Sequence, residues 1–213
     1  MRECFYDMVA FFPLSQGNRW CYAHTAMGSD SELTYVIEGC EHFNGLEVPR
    51  KYQEKNRDEY FCTQADPVYG IRDFKHHLGT APMYLVYTPP AVMVPSKIKI
   101  GEVYTAASHL MRYNSNDSYL DQGSYYGTSY LEAIEDITVP AGTFLGCCKV
   151  IMTRVDVFSD LLVSVHMTEW LAKGVGTVKS SAKVTISSPE GGDPFQVESS
   201  DLLMSAVIDG SSI

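Results

Sequence analysis

Runs of β-branched, aromatic and other apolar residues, broken by turn residues, predict β-strands along much of the chain, and Val163, Val165 and Met167 alternate with polar residues in one of them. The clearest case is the stretch 130–152, in which two β-prone runs flank a Val-Pro-Ala-Gly turn of the kind that favours a hairpin. On the returning strand Phe144 and Val150 share one face, while Leu145 and Ile151 share the other. Because both faces carry apolar residues, the pattern predicts a strand inside the sheet rather than at its edge.

Similar patterns predict strands through most of the remaining sequence. The pair Asn44-Gly45 is typical of a two-residue hairpin turn. The segment 187–200 is rich in Ser, Pro and Gly and is predicted to be a loop. No segment shows helical periodicity over ten or more residues. The predicted fold class is therefore mainly β, a curved antiparallel sheet or open barrel with little helix.

A weak internal repeat suggests how the chain is organised. Three landmarks recur in the same order: residues 14–20 match 98–104, residues 38–43 match 132–137, and residues 59–71 loosely match 169–177. Pro89-Pro90 and Pro95 form a stiff stretch between the copies. We therefore expect one domain over residues 1–213, built from two loosely repeated β units, 1–90 and 91–213, that share one sheet.

The charge of the chain limits its partners. The formal net charge is −10 at pH 7, and no basic cluster offsets it locally. Nucleic acids and anionic membranes bind through Lys and Arg, so neither is expected as a partner. No apolar run approaches the roughly 20 residues that a membrane-spanning helix needs, so no integral membrane segment is expected.

Six cysteines leave two interpretations open. Cys147 and Cys148 are adjacent on a predicted strand, point to opposite faces and so should not bond each other. The cysteines can be buried free thiols that pack as small apolar side chains. Alternatively, one or more disulfides form among Cys21, Cys40 and Cys62.

No motif predicts catalysis or metal binding. A G-x-S-x-G nucleophile turn is missing, as are H-E-x-x-H and H-x-H pairs among the six histidines. His76 and His77 are neighbours on a predicted loop, where adjacent side chains seldom face one ion. We therefore name no catalytic residue, no metal ligand and no cofactor, and an enzyme is the less favoured interpretation.

A cluster of tyrosines is the candidate contact site. Tyrosine combines an apolar ring with a polar tip, which suits a sugar, a peptide or a partner protein. The alternative is that these rings cap the core. The candidates, all within or beside the predicted loop region 113–130, are Tyr113, Tyr119, Tyr125, Tyr126 and Tyr130.

Three motifs together resemble a group of bacterial exported or lipoprotein β domains of uncharacterised function. They are the Pro-Leu-x-x-Gly-Asn-x-Trp pattern at 13–20, the segment 135–144 around Val-Pro-Ala-Gly-Thr-Phe, and the Trp-Leu-Ala-Lys-Gly-Val-Gly pattern at 170–176. The motifs are turns and strands, and the resemblance brings no catalytic residues. It implies a curved sheet loosely like that of lipoprotein carriers, which hold acyl chains on a concave face.

The resemblance also implies an extracytoplasmic location, in the periplasm or cell envelope. The residues MRECFYDMVAFFPL at the start of the sequence lack the features of a leader, which favours the cytoplasm as the alternative. We expect a non-enzymatic binding or structural domain, with a lipid-like apolar ligand on the concave face. A protein-interaction module using residues 113–130 and a hydrolase with a site invisible in the sequence are the alternatives.

Overall fold

A computed structural model describes residues 5–79 and 83–213, and most of these residues lie in β-strands. The strands are β1 (Tyr6–Asp7), β2 (Arg19–Ala26), β3 (Ser29–Phe43), β4 (Leu46–Gln53), β5 (Asn56–Asp66), β6 (Gly70–Leu78), β7 (Met83–Val94), β8 (Lys97–Ile98), β9 (Val103–Asn114), β10 (Tyr119–Val139), β11 (Gly142–Val157), β12 (Leu162–Ala172), β13 (Gly176–Ser187), β14 (Phe195–Ile208) and β15 (Ser211–Ser212). The described residues contain one 3₁₀ helix, Met8–Phe11, and no α-helix. The mainly β prediction is confirmed.

Twelve antiparallel strands, β2–β7 and β9–β14, form a closed barrel. The seam is where the last strand of the ring, β14, pairs with the first, β2, from Ser199 opposite Ala26 to Val207 opposite Arg19. Closure gives every strand of the ring two neighbours, although β7 pairs with β9 only over residues 83–88. The sheet that the sequence predicted as curved or open is therefore closed on itself.

The two predicted hairpins are present. Asn44 and Gly45 connect β3 to β4 with φ of 50° and 82°, the two positive values that a type I′ turn requires. The β10–β11 hairpin closes with Val139 opposite Gly142. Both of its strands have a second partner, β9 and β12, so the prediction of a non-edge hairpin is confirmed.

Several local predictions are wrong. His76 and His77, predicted to lie on a loop, are within β6, and most of the predicted loop region 113–130 belongs to β10. The prolines at 89 and 90 do not form a connection but lie inside β7, where the pairing with β6 passes from Val86 directly to Ala91. An irregular stretch of this kind tolerates proline because its N–H positions are not needed for the ladder. The segment 187–200 is a loop only as far as residue 194, since β14 begins at Phe195 and pairs with β13 as a hairpin.

Each part of the chain supplies half of the barrel. Strands β2–β7 come before β8 and strands β9–β14 come after it, six on each side. The repeated landmarks fall on or just before corresponding strands, β2 and β9, then β3 and β10, then β5 and β12. This arrangement supports the two-unit proposal, although the expected border at residues 90 and 91 falls within β7.

Close to the seam, a hydrophobic cluster packs strands from both halves together. Leu203 of β14 and Val178 of β13 are fully buried and lie in one cluster with Trp20, Ile37 and Cys147. The tip of the β10–β11 hairpin joins them, because Ala141 N donates to Leu203 O at 3.0 Å. Leu203 therefore stabilises both the closure and the hairpin that packs on it.

We expect Leu203→Ala to lower the free energy of unfolding by about 2–5 kcal/mol, because it removes buried methyl groups and leaves a cavity. The matched control is Met204→Ala on the next residue, whose side chain is 37% exposed and whose truncation should cost less than about 1 kcal/mol. Denaturant titration of both variants measures the difference. Equal losses would show that Leu203 does not hold the seam.

Candidate functional site

The N-terminal segment closes one end of the barrel lumen. Met8 and Phe11 are buried against Leu131, Val150 and Leu171 from the barrel wall. Met8 N donates to Ser96 O at 2.9 Å, and Gly174 N donates to Ala10 O at 2.9 Å. The segment is therefore tied to loops at the same end of the barrel on both sides of the lumen.

A cavity of about 270 Å³ lies behind this segment. Residues from ten of the twelve strands line it, so it lies inside the barrel. Much of its wall is apolar, and flexible side chains are prominent there. The apolar lining includes Phe61, Ile71, Met93, Met152, Met167 and Ala182.

The same cavity has charged side chains in its wall. Lys51 extends from β4 across the faces of two aromatic rings, with its Nζ 4.7 Å from the Tyr35 ring centroid and 5.4 Å from that of Trp20. Burial lowers the pKa of Lys51, while Glu169, Asp201 and Asp73 oppose this shift. An ammonium over aromatic faces is stabilised by the ring quadrupole, which partly compensates for its lost hydration.

Of the three carboxylates, Asp201 has two polar partners and Asp73 has one. Asp201 accepts from Ser180 Oγ at 2.7 Å and is 2.7 Å from His24 Nδ1. Asp73 accepts from Thr63 Oγ1 at 2.7 Å, and burial raises the pKa of the Asp73 carboxyl.

The third carboxylate, Glu169, also has a single hydrogen-bond partner, at a longer distance than that of Asp73. Thr177 Oγ1 donates to its Oε1 at 3.2 Å, and no described residue donates to its Oε2. Burial raises the pKa of Glu169, and the positive charge of Lys51 is the largest effect that opposes this rise. Lys51 and Glu169 thus stabilise each other's charged forms in desolvated surroundings.

Deeper in the lumen is a second polar group of residues. Arg154 Nη2 pairs with Asp156 Oδ2 at 3.1 Å, and the Asp156 side chain is 1% exposed. Four buried atoms there have no partner among the described residues, namely His76 Nδ1, Tyr87 Oη, Arg154 Nε and Asp156 Oδ1. Buried polar atoms in folded proteins are nearly always hydrogen-bonded, so these atoms mark polar space inside the barrel.

The five predicted tyrosines do not form one surface. The Tyr125 ring is 2% exposed and lies in the interior cluster with Tyr87, at a ring separation of 5.7 Å. Tyr126 is 55% exposed, and Tyr130 is partly buried on the same alternating face of β10. As ligand or partner contacts, the five residues remain a prediction.

Tyr113 and Tyr119 belong to a row of rings that crosses several strands. The Tyr113 ring stacks on Tyr84 at 5.1 Å, and Tyr119 meets Tyr113 edge to face at 5.9 Å. The row continues through His77 to Tyr60, whose ring lies 5.1 Å from that of His77. Since ring faces within the row contact each other, these residues stabilise the sheet by cross-strand packing.

The five described cysteines are free thiols, which contradicts a disulfide among Cys21, Cys40 and Cys62. Cys4 lies outside the described residues. Cys147 and Cys148 are both buried but belong to different hydrophobic clusters, in agreement with their opposite directions on the strand. Burial raises the pKa of Cys148 to about 11, so this thiol stays protonated at neutral pH and is a poor nucleophile.

The sequence analysis did not identify the residues that line the cavity, because they are far apart in the sequence. One local signal was present, however. The alternation that places Val163, Val165 and Met167 on one apolar face continues to Glu169. A carboxylate at the end of an apolar face indicates a buried charge with a special role.

Within the part of the chain that the structure describes, no group of three or more metal-ligating side chains is arranged to hold an ion. The same residues include no helix that is long and apolar enough to cross a membrane.

We expect acid to destabilise the barrel through His76. Burial, together with the positive charge of Arg154, lowers the pKa of His76 from 6.5 to about 3. Between these values the unfolded chain binds the proton and the folded chain does not. Stability should therefore fall as pH decreases through this window, by up to about 1.4 kcal/mol per pH unit.

Urea titrations of the wild type, His76→Phe and His76→Gln at several pH values between 4.5 and 7 test this expectation. Neither variant titrates in this range, so both should lose less stability than the wild type on acidification, by about 2 kcal/mol at the lowest pH. Parallel pH profiles for all three proteins would contradict a buried neutral His76.

Comparisons with known proteins agree with this architecture. Residues 95–183 match the family model described as DUF3108-like, which covers β8 to most of β13. A search of curated proteins found no match. A candidate exported protein with a YmcC-like fold from Bacteroides fragilis superposes with a TM-score of 0.50 and 14% identity, over 92% of this chain and 98% of that chain.

A candidate lipoprotein from Parabacteroides distasonis gives a TM-score of 0.44 and 15% identity, over 96% of this chain and all of the other. The DUF3108-like match lies in the second half of the barrel, and the first of the two structures shares the overall fold. The resemblance to an uncharacterised family of exported β domains, predicted from the three sequence motifs, is thereby confirmed.

Proposed function

We propose that this protein is a non-enzymatic, extracytoplasmic binding domain that holds an apolar, lipid-like molecule inside the barrel. The observation that carries the proposal is the lumen cavity of about 270 Å³ behind the N-terminal segment. Small-molecule sites are typically concave, mostly apolar and supplied with a few polar groups, with volumes of roughly 300–1,000 Å³. The cavity is close to the lower end of that range.

The lining supports a flexible apolar guest. Met93, Met152 and Met167 come from three different strands and all reach the cavity. Methionine is unbranched and polarizable, so it adapts to an irregular or mobile partner and is frequent at surfaces that accept several ligands. An alkyl or acyl chain fits this wall better than a rigid polar molecule.

The buried charges support a binding role over a purely structural one. Bringing a charge into a protein interior costs several kcal/mol even after relaxation, so an apolar set of side chains would fill the lumen at lower cost. Instead the wall contains Lys51, Asp73, Glu169 and Asp201. Perturbed ionisable groups around a cavity are typical of functional sites.

Export is part of the proposal. The Bacteroides fragilis protein that shares the fold is described as exported, and the sequence motifs independently resemble exported β domains. A binding role is preferred to hydrolysis because the buried thiols of Cys62 and Cys148 have raised pKa values and are not activated nucleophiles.

We expect Ala182→Phe to abolish or weaken apolar ligand binding at least tenfold, because Ala182 lines the cavity and a phenyl ring would fill it. The matched control is Ser181→Phe on the neighbouring residue, which is exposed. Nile red, a neutral dye that fluoresces in apolar surroundings, reports binding, and native mass spectrometry reads any co-purified mass.

The wild type and Ser181→Phe should bind Nile red with similar affinity, and circular dichroism should show that all three proteins are folded. If Ala182→Phe binds as tightly as the control, the dye occupies another surface and the lumen is not the site.

A further inference from the structure

Two polar groups on the cavity wall lack a direct partner. No carboxylate oxygen of the described residues lies within 4.0 Å of Lys51 Nζ, which contacts aromatic ring faces instead. Glu169 Oε2 receives no hydrogen bond within the described chain, since Thr177 donates only to Oε1. Both residues line the cavity. One donor and one acceptor are therefore left facing the space that a ligand would occupy.

The other charges around the cavity have partners. Asp201 is held by Ser180 and His24, and Asp73 by Thr63. Glu169 differs from Asp73 in that its single hydrogen bond is longer, 3.2 Å against 2.7 Å. Each is the other's strongest charged neighbour, yet they are too far apart for a direct ion pair. A polar head group that extends between them would offer partners to both.

The hydrogen-bonding properties of Lys51 and Glu169 determine which ligand group can bond to both. A carboxylate can only accept hydrogen bonds, and a quaternary ammonium can donate none. A hydroxyl or amide can accept from Lys51 and donate to Glu169 at the same time.

The charge of the wall also disfavours an anion. Lys51 is the only cationic Lys or Arg side chain among the residues that line the cavity, against the carboxylates of Asp73, Glu169 and Asp201. A negatively charged head group would meet this excess in a desolvated space, where like charges repel more strongly than in water. An uncharged head group avoids both this repulsion and the cost of removing a charge from water.

We propose that the lumen selects amphipathic molecules with an uncharged, hydroxyl- or amide-bearing head group, which bridges Lys51 and Glu169 while the chain lies against the methionines. This inference rests on the proposed function and names the ligand class of the same cavity. It separates neutral lipids of the acylglycerol type from free fatty acids and from cationic amphiphiles.

The test compares three ten-carbon probes that differ only in the head group: 1-decanoylglycerol, decanoate and decyltrimethylammonium. Each is titrated against Nile red bound to the full-length wild-type protein at pH 7.5, below its aggregation concentration. We expect 1-decanoylglycerol to bind at least about tenfold more tightly than the two charged probes, since it alone satisfies both partners.

Two double variants test whether Lys51 and Glu169 cause the preference for 1-decanoylglycerol. Lys51→Met with Glu169→Leu removes both groups and should reduce the preference to less than about threefold. The control, Lys183→Met with Glu198→Leu, makes the same changes at a solvent-exposed pair whose atoms are 3.1 Å apart. The control should keep the wild-type preference.

The outcomes separate this inference from the function on which it rests. If decanoate binds as tightly as 1-decanoylglycerol, or all three probes bind equally, the lumen binds apolar chains but the head-group selection is wrong. If no probe displaces Nile red, both proposals fail. The comparison of the three probes on the wild-type protein does not depend on the variants. The inference therefore stays testable even if a double variant does not fold.

Discussion

Closure of the sheet is the constraint on which the rest of this structure depends. The pairing of β14 with β2 closes a ring of twelve strands, and the number of strands in the ring also sets the width of the lumen. About eight strands make a barrel that side chains can just fill, and sixteen or more leave a water-filled channel. A twelve-stranded ring lies between these cases. Its interior is filled partly by side chains and partly by the N-terminal segment around Met8, and a cavity remains between them.

The contents of that interior explain why the cavity is more than a packing defect. Lys51 is supported by aromatic faces, Asp201 by Ser180 and His24, and Glu169 by a single hydroxyl. Each arrangement offsets part of the free energy that is lost when a charge is removed from water. A lumen lined only by apolar side chains would not carry this cost. The compensation is least complete at Lys51 and Glu169. A ligand that bonds to both would complete it, so stability and binding are coupled at these two residues.

Local patterns predicted much of the fold. Alternation identified β-rich stretches, and Asn44-Gly45 identified a type I′ turn because few residues accept two positive φ values in succession. Closure could not be predicted, since it joins β2 to β14, which lie near opposite ends of the sequence, and local patterns do not report which distant strands pair. The site could not be assembled either, because Lys51 and Glu169 are separated by more than a hundred residues. The tyrosines were grouped by sequence proximity, but alternation sends Tyr125 inward and Tyr126 outward on adjacent positions of β10.

The central claim is that apolar molecules enter the barrel, and methionine methyl groups can report this directly. Met93, Met152 and Met167 line the cavity, whereas Met27 is 70% exposed and Met204 is 37% exposed. We would label the methionine methyl carbons, assign them by single Met→Leu substitutions, and record NMR spectra during titration with 1-decanoylglycerol. The account predicts saturable shifts at the three lumen methionines and little change at Met27 and Met204. Shifts confined to the exposed methionines, or no shift at the lumen methionines, would contradict it.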